Sequence, residues 1–248
     1  TYSPRPFRRR LRLASTRNRA LRSFFLFYLL SSLLGNPILA LILVGLFFYL
    51  GEARWRGRYF NPSKLWGRRQ TIAELKRRVD INNHDVGAHN DLGRILATAG
   101  RSAEGLGHMQ KAIARMDDSA ETNYYLGLCL IESGNKEEGG KRVSRALEIN
   151  PRFLYGQPHL LLAQTYLDDN RTEAALAEAQ RATALNTSSV QGWVLQGRAR
   201  LALGDQAGAR SALTQAREAF GHLPRYLKLP SRRWKREARR LLRGVGKS

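Results

Sequence analysis

Cys129 and the five histidines are the residues here best suited to ligate a metal or to act as nucleophile and base. Their spacing supports neither role. One cysteine excludes an intramolecular disulfide framework and a cysteine-based zinc cage. The histidines form no HExxH and no close pair in sequence, so nothing points to a metal. No GxxxxGK[ST] phosphate loop, no GxGxxG following a strand, no GxSxG elbow and no carboxylate pair in a recognisable setting is present. Cys129 lies among Leu126, Leu128 and Leu130. A small apolar filler is expected there rather than a reactive thiol. His89, His108 and His159 read as packing or surface residues. The expectation is a non-enzyme, with no catalytic residue, metal, cofactor or small-molecule substrate.

The remaining chemistry is charge. Lys and Arg number 42 against 20 Asp and Glu, for a net +22 over 248 residues. The excess sits in three flanks. Residues 1–22 carry eight Arg and no acid, residues 51–69 are net +5, and residues 221–248 are net +9, which leaves 70–220 neutral. A charge of this size raises nucleic acid, anionic lipid or an acidic protein as partner.

Between the first two flanks, residues 23–50 (SFFLFYLLSSLLGNPILALILVGLFFYL) hold no charge. An uncharged apolar run longer than about 18 residues reads as a membrane segment. It exceeds the roughly 7–15 residues of a signal-peptide core, and no A-x-A-like site follows, so a retained anchor is expected. Gly35-Asn36-Pro37 interrupts it, and Pro37 removes a helical N–H. Two geometries are open. One is a single kinked span, about 42 Å long against a hydrocarbon core of about 30 Å, and so tilted. The other is a re-entrant hairpin that turns at Gly35-Asn36-Pro37 and keeps both basic flanks on one side, beside anionic lipid. Arg22, Tyr49, Arg54, Trp55, Arg56 and Arg58 are the expected interface residues. The flanks point to a membrane location, a bacterial inner membrane, with the following domain on the cytoplasmic side.

The elements downstream repeat. LGRILATAG (92–100), LGLCLIESG (126–134), LAQTYLDDN (162–170) and QGRARLALG (196–204) align, with Gly93, Gly127, Ala163 and Gly197 spaced 34, 36 and 34. Ala112, Ala146, Ala182 and Ala216 recur with the same steps, and Met109, Val143, Ala179 and Leu213 stand three positions before them. Gly100, Gly134, Asn170 and Gly204 fall where a left-handed residue would end the first helix of each unit. A period of this length means helical pairs that cannot bury their apolar faces alone and must stack. The third unit carries two extra residues near Leu154–Pro158, which should bulge its connection. Gln196 and Arg200 replace expected apolar residues in the fourth. Residues 71–85 match a second helix alone, a half repeat. After Pro224 and Pro230, a helix from Ser231 places Trp234, Ala238, Leu241, Leu242 and Val245 on one stripe among arginines. It could cap the last repeat, lie on an anionic membrane, or bind nucleic acid or an acidic partner.

This pattern resembles the tetratricopeptide repeat (TPR) family, whose first helix carries W/N-x-x-L-G-x-x-Y/L and whose second carries A-x-x-x-F-x-x-A. Asn123, Leu126, Gly127, Leu130, Gly139, Val143, Ala146 and Pro151 stand at those positions in the second unit, and Trp193, Gly197, Ala209, Leu213 and Ala216 in the fourth. The resemblance covers about 86–220. It implies an all-α helical solenoid, a half repeat plus about four repeats, with an N-terminal hydrophobic membrane segment and a C-terminal basic helix attached. The parts are a basic flank (1–22), a membrane segment (23–50), a basic linker (51–69), the solenoid (70–220) and a basic helix (221–248).

The resemblance also implies a ligand groove lined by first-helix positions. Carried over, these include Asn90 and Arg94, then Tyr124, Gln164, Gln191 and Arg198, with Tyr124 expected to contribute most. The lysines of a carboxylate clamp are missing, so that ligand is not expected. The functional expectation is a membrane-anchored scaffold or adaptor that binds a protein partner through this groove and helps assemble a membrane complex, with anionic lipid at the basic flanks. The alternative is a membrane-associated factor that binds nucleic acid or the ribosome through its basic termini. The neutral repeat body disfavours nucleic acid.

Overall fold

The computed structural model describes residues 62–245, together with Ser32, Gly35, Asn36, Ile38, Leu41 and Ile42. The chain divides into two compact units, 1–62 and 63–248. In the first unit, Ser32, Ile38, Leu41 and Ile42 are helical, whereas Gly35 has φ +61. The Asn36 side-chain oxygen accepts the Ile38 N–H at 3.0 Å, as at the start of a new helix. Gly35 thus leaves helical backbone at the point where the sequence places the kink or the turn. Otherwise the expected membrane segment lies outside the described residues, as do Arg22, Tyr49, Arg54, Trp55, Arg56 and Arg58. Among the described residues no helix is long and apolar enough to cross a membrane.

The second unit is all helix among its described residues. A lone helix, α1 (Pro62–Ile81), is followed by four pairs: α2 (Val86–Thr98) with α3 (Ser102–Ile113), α4 (Ala120–Glu132) with α5 (Lys136–Ile149), α6 (Gln157–Asp168) with α7 (Thr172–Leu185), and α8 (Val190–Ala202) with α9 (Gln206–His222). A short α10 (Arg225–Lys228) leads to α11 (Arg232–Val245). The half repeat is longer than the sequence suggests. Its helix begins at Pro62, inside the stretch read as linker, because Pro suits the first helical turn.

Local chemistry sets the boundaries. Asp85, Ser119, Ser189 and Asp205 each accept a backbone N–H three residues on, at 2.8–3.2 Å, and so start α2, α4, α8 and α9. Gly100, Gly134, Asn170 and Gly204 have φ of 74, 97, 57 and 79 and turn each first helix into its second.

Within a pair the backbones nearly touch. A Cβ on Gly127 would lie 2.6 Å from Val143 Cγ2 and 2.7 Å from the Gly139 carbonyl oxygen. A Cβ on Gly139 would meet the Gly127 carbonyl oxygen at the same 2.7 Å. Between pairs, Cys129 fills the space beside Met109, Leu126, Leu130 and Ala97, and burial pushes its thiol up to about 11. It is a core atom, not a nucleophile. Ile72, Leu75 and Val79 of α1 cover Ala88, Leu92 and Leu96 at one end. At the other end Ala238 of α11 is fully buried with Val194, Leu213 and Phe220, and Trp234, Leu241 and Leu242 pack around it. The apolar stripe of α11 is therefore consumed as a cap on α8 and α9. It is not available to insert into a bilayer.

The two extra residues of the third unit form a 3-10 turn, Phe153–Gly156, in which Leu154, Tyr155 and Gly156 have φ of 47, 48 and 91. Phe153 anchors this bulge by packing edge-on against Tyr124, 5.5 Å between ring centroids. Tyr155 is left exposed.

The glycines give a paired test. Gly127→Ala should lower the melting temperature by several degrees, since overpacking costs about 1–3 kcal/mol. Gly107, in α3, would have nothing within 4 Å of a new Cβ. There Ala should stabilise by about 0.5–1 kcal/mol. Thermal melts of both variants check the pair, and a Gly127→Ala melt equal to wild type would contradict the backbone contact.

Candidate functional site

The first helices α2, α4, α6 and α8 lie side by side in successive units. The residue three before each small position faces inward with it. Asn90, Tyr124, Leu160 and Val194 are accordingly all buried. Asn90 accepts a hydrogen bond from Thr122 Oγ1 at 2.9 Å, across the joint between the first two units. Tyr124 packs on Val143, Ala146 and Leu162, and meets Tyr125 edge-on at 5.0 Å. Burial pushes its phenol up to about 12. The structure thus places two of the sequence-derived groove residues, Asn90 and Tyr124, in the interior.

The outward positions lie one residue later in the first three units and four residues later in all four, whereas Leu195, one after Val194, is buried. Asp91, Tyr125 and Leu161 are half-buried, as are Arg94, Leu128, Gln164 and Arg198, which stand at one repeat position in the four units. Gln191 is half-buried at the start of α8. Arg94 lies 3.2 Å from Asp91 and 3.4 Å from Glu121 of the next unit. Arg198 Nη1 donates to Gln164 Oε1 at 3.2 Å, and its Nε lies 3.8 Å from Glu237 of α11. Gln164 in turn donates to Asp168 at 2.8 Å. Arg94, Gln164 and Arg198 therefore join a mixed polar and apolar strip that crosses all four units. Tyr125, Leu161 and Asp91 are outward residues of this strip that the sequence alone does not single out.

The signature position of each unit has a structural task. Asn123 Nδ2 donates to the Asp117 carbonyl at 2.7 Å, and Trp193 Nε1 to the Thr187 carbonyl at 2.8 Å, each six residues back. His89 Nε2 reaches the Asn83 carbonyl at 3.1 Å, also six back. These bonds tie the loop between units to the helix that follows it. In the third unit the bulge occupies that place, and His159 Nδ1 instead donates to Glu178 Oε2 of α7 at 2.6 Å.

The same geometry creates a histidine pair that sequence spacing hid. His89 Nδ1 and His108 Nδ1 are 2.8 Å apart. A carbonyl can only accept, so His89 Nε2 carries a proton, and with both rings neutral its Nδ1 accepts from His108 Nδ1–H. Among the described residues no group of three or more His, Cys, Asp or Glu is placed to hold a metal. Burial, then the neighbouring His89, Lys111 and Lys76, hold His108 below the usual imidazole range, against a weaker opposing pull from Glu104.

That shift fixes a pH dependence. The unfolded chain takes up a proton at His108 near its ordinary value of about 6.5, before the folded chain does. Stability from this group is therefore complete above about 6.5 and falls as acid is added, until the folded form also protonates. Between about pH 7 and about pH 5 the melting temperature should fall more steeply for the wild type than for His108→Gln, whose amide can still donate to His89. Parallel slopes would contradict the assignment.

Comparison with known proteins places these features. The tetratricopeptide repeat model matches residues 85–152 and 160–224, more than half of the chain. No curated protein matches it. Among solved structures, MamA is 18% identical with a TM-score of 0.55, covering 60% of this chain and 85% of MamA. YrrB, a TPR protein with an unusual peptide-binding site, is 16% identical with a TM-score of 0.51, covering 69% and 90%. PilW, a widely conserved type IV pilus biogenesis factor, is 18% identical with a TM-score of 0.53, covering 62% and 71%. At these identities the likeness establishes the fold. With the family match over both halves of the solenoid, the chain belongs to the tetratricopeptide repeat family.

Proposed function

We propose that this protein is a membrane-anchored adaptor that holds a segment of another protein on its first-helix face and serves in the assembly of a membrane complex. One observation carries the binding half of this reading: the half-buried strip in which Arg94, Leu128, Gln164 and Arg198 recur at one repeat position, beside Asp91, Tyr125 and Leu161. Apolar anchors spaced along a polar ladder suit a helix or an extended peptide. Protein binding is what TPR solenoids typically do, and YrrB, of the same fold, has a peptide-binding site. The anchoring half rests on the uncharged run 23–50 and its arginine flanks. By the same reasoning the repeat body stands on the cytoplasmic side of a bacterial inner membrane.

Each half has its own test. Tyr125→Ala with Arg198→Ala should reduce recovery of the co-purifying partner in mild detergent by about tenfold or more, since aromatic and arginine anchors commonly contribute about 2 kcal/mol each. Lys141→Ala, on α5, should leave it unchanged. Loss with Lys141→Ala and retention with the double variant would place the partner elsewhere. Tyr124→Ala is unsuited to this experiment, because emptying a core aromatic site costs about 3–5 kcal/mol of stability.

For the anchor, alkaline carbonate should leave the full-length chain in the membrane pellet and release a variant lacking 23–50. Release of the full-length chain would contradict integral insertion.

A further inference from the structure

The charges of the solenoid and of its C-terminal cap are arranged on opposite plans. From Lys76 to Arg200, most lysines and arginines of the repeat body lie within 4 Å of a carboxylate, as Arg78 does to Asp85 and Lys136 to Asp169. On α10 and α11, Arg225, Lys228 and the seven cations from Arg232 to Arg243 have no such partner among the described residues. The one acid of that stretch, Glu237, is held by Arg198.

The unpaired cations converge. Lys228, Arg232, Arg233, Lys235, Arg236 and Arg239 line an open cleft of about 720 Å³, with Phe220, Leu229 and Pro230 as its apolar part and no carboxylate in its wall. Lys235 Nζ stands 4.4 Å from the Phe220 ring centroid, and the Arg233 guanidinium 4.6 Å from that of Trp234. Apolar side chains remain in water in its wall and on the preceding α10: Leu229 of the wall is 41% exposed, and Tyr226 and Leu227 of α10 are 67% and 39% exposed.

We propose that this basic cleft is a docking site for an anionic phospholipid surface, distinct from the apolar anchor and from the first-helix face. The cations meet the headgroup phosphates. Leu227, Leu229 and Tyr226 enter the interfacial layer, where aliphatic and amphipathic aromatic side chains both gain. A nucleic-acid backbone would satisfy the cations equally but would leave Leu227 and Leu229 in water, and single-stranded binding calls for stacked aromatic platforms, of which only Tyr226 is exposed here. The apolar stripe of α11 is already buried on α8 and α9, so contact is by the outer basic side of a rigid cap rather than by insertion of that helix. The proposal extends the membrane reading above, adding a second attachment point.

The test uses the full-length chain with Cys129→Ala and Tyr226→Cys, the new thiol carrying an environment-sensitive fluorophore. Vesicles are phosphatidylcholine alone or phosphatidylcholine with phosphatidylglycerol, and flotation reports attachment separately. The expected result is a blue shift on the anionic vesicles only, reversed by high salt. It should be lost when Arg232, Arg233, Arg236 and Arg239 are all changed to Gln, and kept when all four are changed to Lys. These four side chains are exposed, so the core is untouched, and matched thermal melts verify it. Flotation without a charge-dependent shift overturns the cleft while leaving the anchor standing. A shift with flotation on anionic vesicles alone supports the cleft and overturns the anchor. A shift that survives the Gln changes, or one produced by single-stranded RNA and not by anionic vesicles, overturns the proposal.

Discussion

Close approach of the paired helices at the small residue of each first helix is the constraint on which the rest of this structure depends. Gly127 and Gly139 approach so closely that a Cβ on either would collide with the other's carbonyl oxygen. In the third unit Ala163 is fully buried with Ala179 and Ala182, and Gly197 in the fourth leaves room only for Leu213. Once those positions are pinned, the rotation of the first helix about its axis is fixed. The residue three before the small one is forced inward in all four units, and the next one is turned out in the first three; in the fourth both Val194 and Leu195 are buried. The outward face of the first helices is thus a consequence of where side chains are absent.

Stacking then follows from two further contacts. The signature side chain of three units donates to the carbonyl six residues back, which fixes how each loop enters the next pair. Where the extra residues of the third unit displace that carbonyl, His159 takes Glu178 instead, so the joint is rebuilt rather than lost. Most cations of the repeat body up to Arg200 are paired, whereas those of the terminal cap are unpaired among the described residues and most of them collect in its cleft. Each surface therefore offers a different chemistry: a mixed polar and apolar strip on the first helices, and a basic cleft at the end.

Much of this is legible in the sequence, because the spacing of small residues reports helix contact directly. The period, the left-handed turn residues and the bulge near Leu154 follow from it; the C-terminal basic helix is legible from its apolar stripe, but its capping role is one of three that the sequence leaves open. The inward and outward positions of the first helices are harder to separate. In each unit the two neighbours are of like character: Asn90-Asp91, Tyr124-Tyr125, Leu160-Leu161 and Val194-Leu195. Residue type alone cannot orient such a pair. The offset of three from the small residue can, and it assigns Tyr124 to the core. The pairing of His89 with His108 is hidden because nineteen residues separate them, yet the same separation joins His159 to Glu178. The start of α1 is hidden because a charged stretch with an N-terminal proline reads as linker until its buried stripe of Ile72, Leu75 and Val79 is seen against α2.

The most direct measurement is photo-crosslinking in native membranes, with a benzophenone amino acid placed in the full-length chain either at Tyr125, on the first-helix face, or at Arg145, on α5. If the first-helix face is the working surface, a discrete protein adduct forms from position 125 and none from position 145. An adduct from position 145 with none from position 125 would contradict the account.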